Sequence, residues 1–219
     1  PALTHNRTPL QVPVELWDRL AGRTLRDLCN LTLGDQHPSG GIVLHCLNQD
    51  ILVDPTRRSL RRLRSGQWAD AQDPLLELVT LLYLTGVQGI YPIGRDLVAP
   101  QELKEAHYFK GPHALDFQSL IERYGTDLAG FRRVAQFLEG VPVAMADEAY
   151  RLLPFPRLSV HFLLWAGDDE LPPKMMALFD RSIEQVLSAS GIWTLFRLLS
   201  LALLRGPQVP RAESTEGLA

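Results

Sequence analysis

The sequence predicts an α+β fold: a mixed or antiparallel sheet formed by strands near both ends of the chain, with a helical central region. Three observations predict it. The apolar run Leu158 to Trp165 is entered through Pro154 and Pro156 and left through the acidic turn Gly167-Asp168-Asp169-Glu170. A second strand pair, Ile42 to Leu47 and Ile51 to Val53, is joined by the turn Asn48-Gln49-Asp50. Between these pairs the apolar residues recur at helical spacing. Strands segregated from helices in this way argue against alternating βαβ units.

Taken in order, Pro1 to Pro13 holds three prolines and reads as an extended arm. Val14 to Ala21 is a helix with Leu16, Trp17 and Leu20 on one side, stopped by Gly22. Thr24 is placed to cap a second short helix, with Asp27 three residues on. His37 to Gly41 is a turn cluster. Arg57 to Arg64 carries five arginines and reads as a solvated helix face, arginine being a good helix former. Asp73-Pro74 opens the helix Leu75 to Leu84, with proline in its first turn.

Leu97 to Leu103 is an extended piece running into a helical turn after Pro100, and Tyr108 to Pro112 is a loop. Two helices, Asp116 to Tyr124 and Asp127 to Leu138, are split at Gly125, and Gly140 to Ala146 is irregular. Ala149 to Leu153, Leu158 to Trp165 and Met175 to Phe179 are strands; Ile192 to Leu204 is a buried or interfacial helix interrupted by Arg197. The domain reading is an arm over residues 1–13, a single α+β domain over 14–205 and a disordered tail over 206–219, which is polar and lacks apolar period.

The 219 residues suffice for a substantial core, and 46% apolar with 21% charged residues is ordinary for a globule. The formal charge of -3 argues against a general nucleic-acid binder, which needs a basic surface to displace counterions. Two cysteines, Cys29 and Cys46, lack paired spacing, so neither a disulfide framework nor a zinc knuckle is expected. A cytoplasmic location is the default for such cysteine usage. Pro1 to Pro13 shows no signal-peptide pattern, and thirteen residues from Ile192 to Leu204 are too few to span a bilayer. GxSxG, P-loop, GxGxxG and HExxH motifs are absent.

Four groups of residues are candidates for function. Asp168, Asp169, Glu170 and Asp180 place carboxylates in reach of a hard cation such as calcium or magnesium if their strands pair, or of acid–base work. The plain alternative is a solvated turn with Asp180 capping the next helix. His161 alternates with Ser159, Leu163 and Trp165 on one strand face, where indole and imidazole can line a pocket; the alternative is a half-buried sheet face. His113 in Gly111-Pro112-His113, six residues after His107, is either a loop ligand or a backbone hydrogen-bonding partner. The Arg57 to Arg64 strip and the helix around Trp193 and Phe196 are the two surfaces for a protein partner.

Several pieces together resemble one family, catalogued as domain of unknown function 3786 and found mostly in anaerobic bacteria and archaea. They are Leu81-Leu82-Tyr83-Leu84, Tyr108 to His113, Tyr124-Gly125-Thr126-Asp127, and the stretch from Phe155-Pro156-Arg157 through Trp165, Gly167 to Glu170 and Leu178-Phe179-Asp180. The likeness covers roughly Thr24 to Leu204, and its last stretch is the specific one. Some relatives fuse this domain to a four-cysteine iron–sulfur module of the corrinoid-protein kind; two cysteines here cannot hold such a cluster. Relatives often show a double glycine where this chain has Glu139-Gly140.

The first reading is a non-catalytic accessory protein of anaerobic metabolism that binds a small ligand or cofactor; the fused relatives imply a tetrapyrrole or corrinoid by analogy, and the carboxylates point to a divalent cation as the other cofactor class. The expected ligand-binding set is His113, Arg157, His161, Trp165 and Asp168. The alternatives are an enzyme using the carboxylates and a histidine, and a protein–protein adaptor.

Overall fold

The computed structural model describes residues 10–94 and 96–206. The expected arm lies largely outside the described residues, and so does nearly all of the expected tail. Among the described residues six helices and ten strands follow one another, with short 3-10 turns between some of them.

Helix α1 (Val14–Ala21) buries Leu16, Trp17 and Leu20. The indole N–H of Trp17 donates to the Glu77 carboxylate at 2.9 Å. Helix α2 (Leu25–Thr32) starts where the Thr24 hydroxyl accepts the Asp27 N–H. An N-terminal antiparallel sheet follows, built from β1 (Asp35–Gln36), β2 (Ile42–Cys46), β3 (Gln49–Asp54), β4 (Ser59–Arg64) and β5 (Gln67–Asp70) in chain order. Tight turns join its long strands. Ser65 and Gly66 between β4 and β5 both take positive φ, the geometry of a two-residue hairpin.

Helix α3 (Pro74–Gly86) is capped by the Asp73 side chain on the Leu76 N–H and is buried on most sides. A second antiparallel sheet, in the order β6-β10-β9-β8-β7, occupies the C-terminal half. Its strands are β6 (Leu97–Val98), β7 (Val141–Pro142), β8 (Glu148–Phe155), β9 (Leu158–Trp165) and β10 (Lys174–Asp180). Helices α4 (Gln118–Tyr124), α5 (Leu128–Phe137) and α6 (Ala189–Arg205) pack on one side of it. The α+β class with antiparallel pairing is what the sequence predicts. The strands from the two ends form two sheets, because each set closes with its own sequence neighbours before meeting the other.

One cluster of buried side chains runs from Leu16 to Leu203 and joins both halves. Phe155 stacks on Tyr83 of α3 with centroids 4.5 Å apart. On β9, Phe162 stacks on Phe196 of α6 (5.9 Å) and meets Phe117 edge-on (6.5 Å). These contacts define the core face of the second sheet.

The arginine segment is corrected: residues 59–64 form β4, not a helix. Cross-strand pairing to β3 and β5 outweighs arginine's modest helix preference. The strip is thereby dispersed. Arg58 meets Asp18 at 2.5 Å, Arg62 meets Asp73 at 2.5 Å, and Arg61 lies on the opposite face of the strand from Arg62.

Candidate functional site

The second face of the C-terminal sheet holds the unusual chemistry. Alternation along β9 turns Ser159, His161, Leu163 and Trp165 away from Phe162 and the helices. Registration sets Arg151 of β8 and Leu178 of β10 on either side of His161, and Lys174 beside Trp165. Ser159 is 1% exposed and His161 4%. The half-buried outward face expected from alternation is therefore closed at its centre.

Three polar atoms on this face are out of water's reach and have no hydrogen-bond partner: Arg151 Nε, Ser159 Oγ and His161 Nδ1. Burial pushes the His161 imidazole below its ordinary value of 6.5, the Arg151 guanidinium pushes it the same way, and the Asp180 carboxylate opposes them. The ring is neutral at pH 7 and offers one donor and one acceptor.

At its Trp165 end the face opens into a cavity of about 610 Å³ walled by Trp165, Asp168, Leu171, Pro172, Pro173 and Lys174. The Lys174 ammonium lies 5.6 Å from the centre of the Trp165 ring. Asp168 is mainly a turn former. Its Oδ1 accepts the N–H groups of Leu171 at 2.7 Å and Glu170 at 2.9 Å, which hold its carboxyl below the usual range. Glycines make the turn compact: a Cβ at Gly167 would lie 2.5 Å from Pro173 Cδ, and one at Gly125 would lie 2.7 Å from Pro173 Cγ.

Of the five expected ligand-binding residues, the structure brings together Trp165 and Asp168 and places His161 on the same face. Arg157 is at the opposite end of β9, eight positions from Trp165, or ~26 Å of extended strand. Its Nε donates to the Leu31 carbonyl at 2.9 Å and so ties the β8–β9 turn to α2. His113 is on the helix side, stacked on Tyr108 at 4.4 Å and edge-on to Trp193 of α6 at 5.3 Å. The loop carrying it does approach the proline pair: Gly111 and Pro112 form one wall of a groove whose other wall is Pro173, Lys174 and Met175.

The expected metal cluster is also corrected. Asp168, Asp169 and Glu170 sit beyond one end of β10 and Asp180 at the other, six residues from Lys174, or ~20 Å. The Asp180 carboxylate accepts the Gly94 and Ser182 N–H groups. Among the described residues no three His, Cys, Asp or Glu side chains converge to hold a metal ion. Burial also keeps both thiols protonated at neutral pH, raising Cys29 and pushing Cys46 up to about 12.

Sequence reasoning missed Arg151 and Lys174. Both follow from the register of the β8–β9–β10 meander, which puts them on the His161–Trp165 face once the two turns are fixed.

A family profile described as Domain of unknown function (DUF3786) matches residues 25–201. The chain belongs to the DUF3786 family. No match is found to a curated protein or to a solved structure. Several residues that carry the DUF3786 resemblance have architectural roles here. Phe155 stacks on Tyr83, Tyr124 donates to the Leu203 carbonyl at 2.7 Å, and Asp127 caps α5 through the Gly130 N–H. Glu139 takes φ +60°, a conformation that favours glycine, and a Cβ at Gly140 would lie 2.7 Å from the Ala135 carbonyl. Among the described residues no helix is long and apolar enough to cross a membrane.

Proposed function

We propose that this chain is a non-catalytic, cytoplasmic ligand-binding accessory protein of anaerobic metabolism, holding a planar anionic molecule against the outer face of β8, β9 and β10. One observation carries the reading: Arg151, Ser159 and His161 bury polar atoms together without partners. Each such atom costs roughly 1–3 kcal/mol, which packing alone does not repay. A ligand that enters through the cavity at the Trp165 end and parts the closed face to hydrogen-bond to them does.

The chemistry of the ligand follows from the ends of the face. Arg151 supplies a guanidinium at one end and Lys174 an ammonium at the other, four β9 positions or ~13 Å apart. Trp165 supplies a flat apolar surface at the Lys174 end. A conjugated ring system with carboxylates on its edge fits that order of groups. A tetrapyrrole of the kind implied by the family resemblance is such a molecule, and the anaerobic setting rests on that resemblance as well.

The test is native mass spectrometry and visible absorbance of anaerobically isolated protein, followed by titration with protoporphyrin IX. The expected result is a bound adduct or saturable one-to-one uptake, weakened about tenfold, or ~1.4 kcal/mol, by Trp165→Ala and by Arg151→Gln. An adduct-free protein that also fails to take up the porphyrin saturably refutes the reading.

A further inference from the structure

We infer that a second site, on the helix side of the sheet, binds a free α-amino acid with a large apolar side chain. The site is a cavity of about 330 Å³ between α4 and α6, lined by Asp116, Leu120, Trp193, Phe196, Arg197 and Ser200 among others. It is separated from the His161 face by the sheet itself, since Phe196 packs on Phe162 from the helix side.

Three features of the lining point to a zwitterion. Trp193, Arg197 and Ser200 recur at intervals of four and three along α6 and so share one stripe of it. The Arg197 guanidinium lies 4.8 Å from the centre of the Trp193 ring and, among the described residues, is paired with no carboxylate. Every other charge-bearing group of the cavity is on Asp116, whose Oδ1 accepts the Gln118 N–H at 2.8 Å while the carboxylate stays unpaired with Arg197. A cation and an anion thus face one small space without neutralising each other. A carboxylate suits the guanidinium's fork of donors, and an ammonium suits the aspartate.

Ser200 supplies the third polar contact. Thr194 on the same helix behaves as hydroxyls in helices ordinarily do, bonding back to the Ser190 carbonyl at 2.7 Å. Ser200 Oγ, by contrast, is buried with no partner in the wall of this cavity. The rest of the lining is apolar. Phe196 and Leu120 are buried, and Trp193 is braced edge-on by His113, which itself stacks on Tyr108. An apolar body with an ammonium and a carboxylate at one end satisfies all of these groups, and the volume falls in the range of small-molecule pockets.

The experiment is isothermal titration calorimetry of the intact protein with L-phenylalanine, phenylacetate and phenethylamine. Saturable binding of L-phenylalanine is expected, with each singly charged analogue at least tenfold weaker. Arg197→Gln and Asp116→Asn are each expected to weaken L-phenylalanine at least tenfold, and Ser200→Ala severalfold, with unchanged circular dichroism. Trp165→Ala, in the site on the opposite face, leaves L-phenylalanine binding unchanged, so the two sites fail or stand separately. Absence of saturable L-phenylalanine binding overturns the inference. So does phenylacetate binding as tightly as L-phenylalanine, or a folded Arg197→Gln protein that binds like the wild type.

Discussion

Each of the two sheets carries a histidine in mid-strand on the face turned from the core, and their surroundings differ. His45 of β2 is exposed and lies between two carboxylates, with Nδ1 2.9 Å from Asp50 and Nε2 2.8 Å from Glu139. His161 of β9 is buried, with Nδ1 unpartnered. The first fastens the N-terminal sheet to the segment after α5 and has all its hydrogen-bonding capacity used. The second sits in a closed face with capacity to spare. A polar residue whose bonds are complete is explained by architecture; one whose bonds are open calls for a partner from outside.

The sharpest test of this contrast uses neighbours on one strand. Phe162→Ala, on the core face of β9, is expected to cost about 3–5 kcal/mol by urea denaturation, through the cavity left against Phe117 and Phe196. The adjacent His161, replaced by leucine, is expected to cost nothing. A comparable loss at both positions would erase the distinction between the two faces.

A smaller effect separates the two ends of β9. Arg157→Ala removes the bond to the Leu31 carbonyl and is expected to cost about 1–2 kcal/mol while leaving porphyrin uptake untouched. Reduced uptake in that variant would extend the site along the whole strand.

The histidines also predict opposite pH slopes. Burial lowers the His45 pKa, but the hydrogen bonds its ring donates to the Asp50 and Glu139 carboxylates outweigh it, so the folded value lies above 6.5. Its stabilising contribution is complete below the unfolded value and fades as pH rises through the raised folded one. The His161 pKa is lowered by burial, so the unfolded chain binds the extra proton. Stability is then lost as pH falls from about 6.5 towards the depressed folded value. Stability profiles of His45→Gln and His161→Leu should flatten on the alkaline and acid sides respectively. The His45 contribution is small, roughly 0.2–1 kcal/mol and screened by salt, because the pair is exposed.

The smallest effect belongs to Glu139→Gly. It removes one partner of His45 and relieves a positive φ of 60°, and the two nearly cancel to within about 1 kcal/mol. A larger destabilisation would show that the His45 link holds the halves together more strongly than its exposure allows.

Legibility in the sequence followed the strength of local signals. Strand Leu158–Trp165 and helix Val14–Ala21 fall at the residues read from apolar runs bounded by proline and glycine, and Thr24 caps α2 as its spacing predicts. Strand β4 is hidden because Arg57 to Arg64 has no strand-like local pattern; its pairing to β3 on one side and to β5 on the other decides the conformation. The site was half legible. Trp165 and Asp168 are close because they share one strand end, whereas Arg157 shares the strand but not the end. His113 was drawn into the site by its loop, and only the packing of Phe162 on α6 shows that it lies on the other side of the sheet.

The unfolding free energy of the double variant Ser159→Ala/His161→Leu tests the account most directly. If these groups are kept for a ligand, the ligand-free variant is at least as stable as the ligand-free wild type, because two unpartnered polar atoms leave the interior. A loss of about 2 kcal/mol or more would show that both side chains are structural and that the outer face of the second sheet is not a binding site.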